Sequence, residues 1–351
     1  MIDRTICLLT LLLPAGCAAP PPRSHRKPTG DLLTPASPEQ LAQWSGTGLQ
    51  AARSYWERMG STAVVILHRG AVVAEWGAAS RPVQSHSLRK SFLGALFGIA
   101  VEHGEIELDD TLEALAINDA VPPSLSHAEQ QATVQHLLQS RSGVYHPAAW
   151  ETPSMAADRP ERGSHPPGTH WFYNNWDFNA LGTVFNQETG GDLFRAFRDH
   201  IAQPIGMEHF DLGHTAYAYD DELSEHPAYS FELSTRDRAR FGLLYLRNGD
   251  WDDAQLIPQW WIEQSRRAWS DAGAGVGYGY LWWVAIDGWH LGSRFAGAPY
   301  SARGWGGQYI VVVPEYDLVV AHTADLRAQD DINETTTFQD LFALILEAAP
   351  D

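Results

Sequence analysis

Apolar positions along this chain change their spacing several times, and each change predicts an element. From residue 38 to about 59, Leu41, Trp44, Leu49, Ala52 and Trp56 recur at helical spacing. The stretch T-A-V-V-I-L-H-R-G-A-V-V-A-E-W-G follows, apolar and β-branched on both sides of Gly70, and predicts two strands joined by a tight turn. In S-L-R-K-S-F-L-G-A-L-F-G-I-A-V-E-H-G, Leu88, Phe92, Leu96 and Ile99 recur every three or four residues, which predicts a helix ended by Gly104. Between about 110 and 280 the pattern predicts several helices separated by long loops, among them 134–140, 177–188 and 236–248. The glycine-spaced run 273–279 reads as a loop into a strand. Near the C-terminus Q-Y-I-V-V-V-P-E-Y-D-L-V-V-A-H predicts a β-hairpin with arms 309–313 and 318–322, and a last amphipathic helix covers about 336–348.

Helix and strands open the body, and strands and helix close it. The economical packing is an α+β domain over residues 38–351. One antiparallel sheet takes strands from both chain ends and is flanked by the terminal helices, with a helical insertion between. The α/β part covers about 38–110 and 285–351, and the helical part about 111–284.

The N-terminus has a different character. Residues 6–13 form an apolar run too short to span a bilayer comfortably, and small residues follow it, as in an export signal. Ala15-Gly16-Cys17 resembles a bacterial lipobox, so residues 1–17 are expected to be a lipoprotein-type signal peptide with Cys17 lipidated. The alternative is an ordinary secretion signal cut near Ala18 or Ala19. Residues 18–37, rich in Pro, Ser and basic side chains, read as a disordered tether. The expected location is the periplasm, with membrane attachment only through the lipid.

Composition narrows the chemistry. Formal net charge is -19, which disfavours non-specific binding to nucleic acid. Both cysteines, Cys7 and Cys17, lie in the leader, so thiol catalysis and thiolate metal sites are excluded from the body. No metal or cofactor motif occurs: there is neither H-E-x-x-H nor G-x-G-x-x-G, and no G-x-S-x-G elbow. The 14 Trp residues form core or line an apolar cleft. Of the 24 basic residues all but two are arginine, and Lys90 is the only lysine after Lys27. Arginine serves a solvated surface as well as lysine does, but only lysine loses its proton at accessible cost.

Lys90 belongs to S-L-R-K, an S-x-x-K pattern at the mouth of an apolar helix. Residues i and i+3 of a helix share a face, so Lys90 can reach Ser87, and a lysine buried in an apolar wall has a lowered pKa. The plain alternative is a capping serine beside an exposed lysine. Ser24-His25-Arg26-Lys27 matches the same pattern, but Pro28 follows it and no helix holds it. A second element, Tyr173-Asn174-Asn175, precedes the predicted helix 177–188. A phenol can relay a proton and an amide can hold a carbonyl, although Tyr/Asn turns are common. A third, R-G-W-G-G-Q-Y at 303–309, is either a glycine strand that lets substrate approach, with a backbone N–H for an oxyanion, or a strand-start turn. His170 lies near these residues, as a substrate contact or a structural residue.

S-x-x-K, Y-x-N and a Gly-rich strand, in this order and at these separations, resemble the serine β-lactamase and penicillin-binding protein superfamily, in its class C-like branch. That branch includes class C β-lactamases, D-alanyl-D-alanine carboxypeptidases, β-lactamase-like carboxylesterases and 6-aminohexanoate-dimer hydrolases. V-Q-H-L-L-Q-S-R-S-G-V-Y (134–145), L-S-T-R-D-R-A-R-F-G-L-L-Y-L-R-N-G (233–249) and Y-G-Y-L-W-W support it. The resemblance implies a β-lactamase/transpeptidase-like fold and a cofactor-free serine hydrolase acting on a small ester or amide. It makes Ser87 the acylated nucleophile and Lys90 and Tyr173 the general base and acid. It makes Asn175 a holder of the acyl side chain. Aligning Trp305-Gly306-Gly307 with the third motif puts the Gln308 N–H beside the Ser87 N–H as an oxyanion hole. β-Lactamases and carboxypeptidases usually carry Lys-Thr-Gly there, whereas Trp-Gly-Gly looks more like the esterase and amide-hydrolase members. Arg303 is the nearby candidate for the missing charge. Cell-wall D,D-peptidase or β-lactamase activity is the nearest alternative, and a catalytically silent penicillin-recognising binding protein is the second.

Overall fold

The computed structural model describes residues 33–327 and 335–350. The leader, Cys17 and the tether up to residue 32 lie outside the described residues. An eight-stranded antiparallel sheet organises the molecule. Its strand order is Ala71–Gly77, Ala63–His68, Leu318–Thr323, Gln308–Val313, Tyr300–Gly304, Trp283–Ala285, Val276–Tyr278, Ser270–Asp271. The expected hairpin is thus the centre of the sheet, and the two N-terminal strands complete it at one edge.

The central strands read as unbroken apolar runs because both faces of the sheet are covered. Strand alternation sorts their side chains into two cores. Val65, Leu67, Ile310, Val312, Val319 and Ala321 face the helical part of the molecule. Val64, Ile66, Val311, Val313, Leu318 and Val320 face the other way, onto Ala52 of helix Gly46–Met59 and onto Phe338, Leu341, Phe342 and Ile345 of helix Thr335–Ala348. These two terminal helices pack against each other over the sheet. Ser45 caps the first of them through the Gly48 N–H. The single helix expected over 38–59 is therefore two: a short turn Pro38–Leu41 and the longer Gly46–Met59.

Two boundaries differ from expectation. The sheet takes three short strands from 270–285, inside the stretch assigned to the helical part. That stretch also contributes strands to a second sheet of Val83–Gln84, Ser224–Leu233 and Thr215–Asp220. Residues 33–37, expected to be tether, belong to the fold. Leu33 and Ala36 are buried, the Ala36 N–H donates to Val72 O at 2.8 Å and the Val72 N–H to Thr34 O at 2.8 Å. This segment covers part of the open edge of the outermost strand, a position that would otherwise present unpaired backbone groups.

Helix Thr235–Leu246 lies across the centre of the sheet, and Gly242 sets how close it comes. A Cβ there would sit 2.6 Å from Val319 Cγ1 and 2.8 Å from Ile310 Cγ2. Gly242→Val is expected to lower stability by about 1–3 kcal/mol through overpacking, read as a lower urea midpoint at unchanged slope. An unmoved midpoint would contradict this packing.

Candidate active site

Three segments meet at Ser87. The first is a 3-10 turn, His86–Leu88, that runs straight into the buried helix Arg89–Glu102. The turn is tight: His86 holds φ at 48°, a conformation uncommon for a non-glycine residue. Leu88 is the N-cap and offers no side-chain cap; the preceding turn takes up the first N–H groups instead, Leu88 N–H donating to Ser85 O at 3.1 Å and Arg89 N–H to His86 O. Farther along, the Ser91 hydroxyl donates to Leu281 O at 2.7 Å and anchors the helix to the strand connection.

The second segment is the approach to helix Asn175–Thr189. Asn174 caps it by accepting from the Trp176 N–H at 3.0 Å, which leaves Tyr173 just outside the helix. Lys90 joins the two segments. Its Nζ lies 2.6 Å from Ser87 Oγ and 2.8 Å from Tyr173 Oη. The rest of its surroundings are aromatic, with Nζ 4.5 Å from the Tyr173 ring centroid and 4.4 Å from that of Phe178. Lys90 is 1% exposed. Burial pushes its pKa well below the ordinary lysine value, and the neighbouring Arg89 guanidinium pushes it further down. Tyr173 moves the other way: burial raises its phenol to about 12, against smaller opposing effects of its hydrogen bond with Ser87 and the Arg89 charge. Desolvation outweighs the neighbouring cation at this phenol. Burial thus favours the neutral form of both groups.

The third segment is strand Tyr300–Gly304. A Cβ on Gly304 would lie 2.3 Å from Ser85 O and 3.1 Å from the Leu88 N, so this glycine lets the strand touch the His86–Leu88 turn. Gln308 does not do so. It pairs with Gly304 across the hairpin, on the next strand. Its buried side chain accepts from Arg238 Nη1 at 2.5 Å and donates to Ala324 O at 2.5 Å. Trp305-Gly306-Gly307 is the hairpin turn, with φ of 72° and 86° at the two glycines. The alignment that placed the Gln308 N–H beside Ser87 is off because it took turn glycines for strand glycines. Trp305 projects from the turn, 54% exposed, and its ring meets the His86 ring edge-on at 5.5 Å.

Other candidates are also located. Asn175 is buried, and its Nδ2 donates to Trp150 O at 2.6 Å while its Oδ1 has no partner. Arg303 Nε donates to Ser301 Oγ at 2.8 Å, and its guanidinium lies 5.2 Å from the centroid of Trp283, which stacks on Tyr173. Its Nη2 is buried without a partner, and burial lowers its pKa to about 10. His170 stacks on His165 at 4.0 Å and takes no part in the Lys90 hydrogen bonds. Sequence reading missed Gly304, although it lies within the quoted motif. It also missed Phe178 and Trp283, whose aromatic character carried no positional signal. Among the described residues no group of three or more His, Cys, Asp or Glu could hold a metal ion.

The profile of the Beta-lactamase family matches residues 50–337. Solved structures share the fold. A protein provisionally assigned as a 6-aminohexanoate-dimer hydrolase from Bacillus anthracis aligns with TM-score 0.65 and 22% identity, over 85% of this chain and 83% of that one. An octameric penicillin-binding protein homologue from Pyrococcus abyssi gives TM-score 0.61 and 19% identity, over 87% and 78%. A β-lactamase from Mycobacterium bovis gives 0.59 and 18%, over 86% and 99%. No curated protein matches the sequence.

Gly304→Ala tests the contact between strand and turn. The methyl group would have to displace Ser85 O and with it the Ser87 backbone. A displacement on the ångström scale at a reacting group costs on the order of 10²-fold in rate. Gly304→Ala is expected to lose about that much activity in an ester-hydrolysis assay, and near-normal turnover would contradict the placement.

Proposed function

The chain belongs to the β-lactamase family, and from that premise we propose that it is a serine hydrolase that cleaves a carboxylic ester or amide through an acyl-enzyme on Ser87. The observation that carries this reading is the buried Lys90 amine, 2.6 Å from Ser87 Oγ and shared with Tyr173. Ser87 Oγ attacks the carbonyl carbon as its proton passes to Lys90 Nζ. The oxyanion that forms faces the Ser87 N–H and the backbone of Gly304, which meets the turn that carries Ser87. Tyr173 gives its phenol proton to the leaving oxygen or nitrogen and is reprotonated from Lys90. Water then attacks the acyl-enzyme. Its proton returns through Lys90 and Tyr173, the acid is released and Ser87 regains its hydroxyl.

Lys90 takes the role of base and Tyr173 that of acid because burial lowers the one pKa and raises the other. We further propose that the protein is exported and attached to the membrane through lipid on Cys17, a reading supported by the leader and by Ala15-Gly16-Cys17.

Ser87→Ala should abolish hydrolysis of p-nitrophenyl esters and labelling by a fluorophosphonate, with a near-normal thermal melt. Equal labelling of wild type and variant would refute the assignment. In the wild type the rate should rise with pH through the depressed Lys90 pKa, because below it Nζ is a charged ammonium and cannot accept the Ser87 proton. Lys90→Arg should lose about 10²–10⁴-fold in rate together with that limb, since guanidinium stays charged. A Lys90→Arg enzyme within about tenfold of wild type that keeps the limb would show that Lys90 is not the base. Cys17→Ser should move the protein from the membrane fraction to the soluble one; a wild type without lipid by mass spectrometry would exclude the anchor.

A further inference from the structure

Three asparagines at the start of one helix hold a single loop. Asn174 Nδ2 donates to Val144 O at 2.5 Å, Asn175 Nδ2 to Trp150 O at 2.6 Å and Asn179 Nδ2 to Ala149 O at 3.1 Å. All three asparagines are buried. Because a carbonyl can only accept, the NH2 end of each amide must face the loop. The loop ends in Trp150, which is 37% exposed although most of the loop before it is buried. Its φ is 62°, a conformation that a bulky side chain avoids and that the surrounding bonds must impose.

The indole is fixed as well. Its ring lies over the Arg89 guanidinium, 4.9 Å from centroid to Cζ, and Tyr229 covers that guanidinium at 4.8 Å. Arg89 is buried, makes no ion pair among the described residues and directly precedes Lys90. Asn179 serves both ends, since its Oδ1 also accepts from Arg89 Nη2 at 3.5 Å. Backbone and ring of Trp150 are therefore held by groups adjoining Tyr173 and Lys90, yet the residue makes no large contribution to the core. Strain concentrated in an exposed aromatic held from the two helices that carry Lys90 and follow Tyr173 suits a binding surface.

We propose that Trp150 is the wall of the acyl pocket, favouring acyl groups with a flat apolar face, and that Asn175 is a positioning residue that acts on substrate through Trp150. The proposal rests on acyl-enzyme chemistry at Ser87. It differs from direct holding of the acyl chain by Asn175, because one amide hydrogen is already committed to the Trp150 carbonyl. An aromatic acyl group against the exposed side of the indole gains about three- to tenfold in kcat/KM over a small one.

The test compares p-nitrophenyl benzoate with p-nitrophenyl acetate. Trp150→Gly removes the ring, and glycine takes φ near 62° without strain. It is expected to lower the benzoate-to-acetate ratio of kcat/KM about three- to tenfold. Asn175→Ala should lower the ratio in the same direction, and the double variant should fall no further than Trp150→Gly alone. Multiplying effects in the double variant would mean that Asn175 touches the substrate, which overturns the positioning role. If Asn175→Ala does not fold, Asn179→Ala carries the same comparison through the neighbouring carbonyl. An active Trp150→Gly enzyme with an unmoved ratio overturns the wall alone. A wild type that hydrolyses neither ester and takes no fluorophosphonate label overturns the hydrolase reading, and the wall with it.

Discussion

Lys90 Nζ is held between Ser87 Oγ and Tyr173 Oη, with the rings of Tyr173 and Phe178 against it. No carboxylate pairs with it among the described residues, and the nearest charge that acts on it is the like charge of Arg89. An ammonium in such a place is disfavoured by desolvation and repulsion together, so the proton is easily lost. The free amine is what can draw a proton from serine. An arginine-rich chain has its single described lysine at a buried position that favours the neutral form.

The fold makes that burial possible. Ser87 and Lys90 stand at the start of a helix buried along most of its length, and Tyr173 stands at the start of a second buried helix. The sheet brings a third backbone against them only because Gly304 has no side chain. The sheet itself is fixed by two cores, one on each face, so its position relative to the His86–Leu88 turn is set by packing far from the site. Charged groups near Ser87 are mainly cationic, namely Arg89, Lys90, Arg238 and Arg303. Beyond burial, Arg89 lowers the pKa of Lys90, and burial first, then the charges of Arg238, Arg89 and Arg327, lower that of His86 to about 4.

Local features were legible in the sequence. Ser87 and Lys90 are three residues apart, and helical geometry alone brings them together; the apolar run behind them predicted the burial. Tyr173 was legible as a motif before a helix. The hairpin at 308–323 and the terminal helix followed from periodicity. Features set by distant pairing were not legible. Whether Gly304 or Gln308 meets Ser87 depends on where the hairpin turns, and adjacent glycines fit a strand or a turn equally until their positive φ is known. The strands of two or three residues between 270 and 285 are too short to show a period. The bonds from Asn175 and Asn179 to the 149–150 carbonyls depend on the path of a loop, and that leaves no pattern in the side chains.

The most direct measurement is the proton affinity of Lys90 itself. The chain has only two lysines, Lys27 and Lys90, so labelling with [13Cε]lysine gives two NMR signals, and Lys90→Arg assigns them. Lys27 serves as an internal reference near the ordinary value of about 10.4. Lys90 is expected to titrate well below it, and Ser87→Ala should change that value without restoring the ordinary one. Two signals that titrate together near the reference value would mean that Lys90 is charged at neutral pH, and proton transfer from Ser87 to its amine would have to be abandoned.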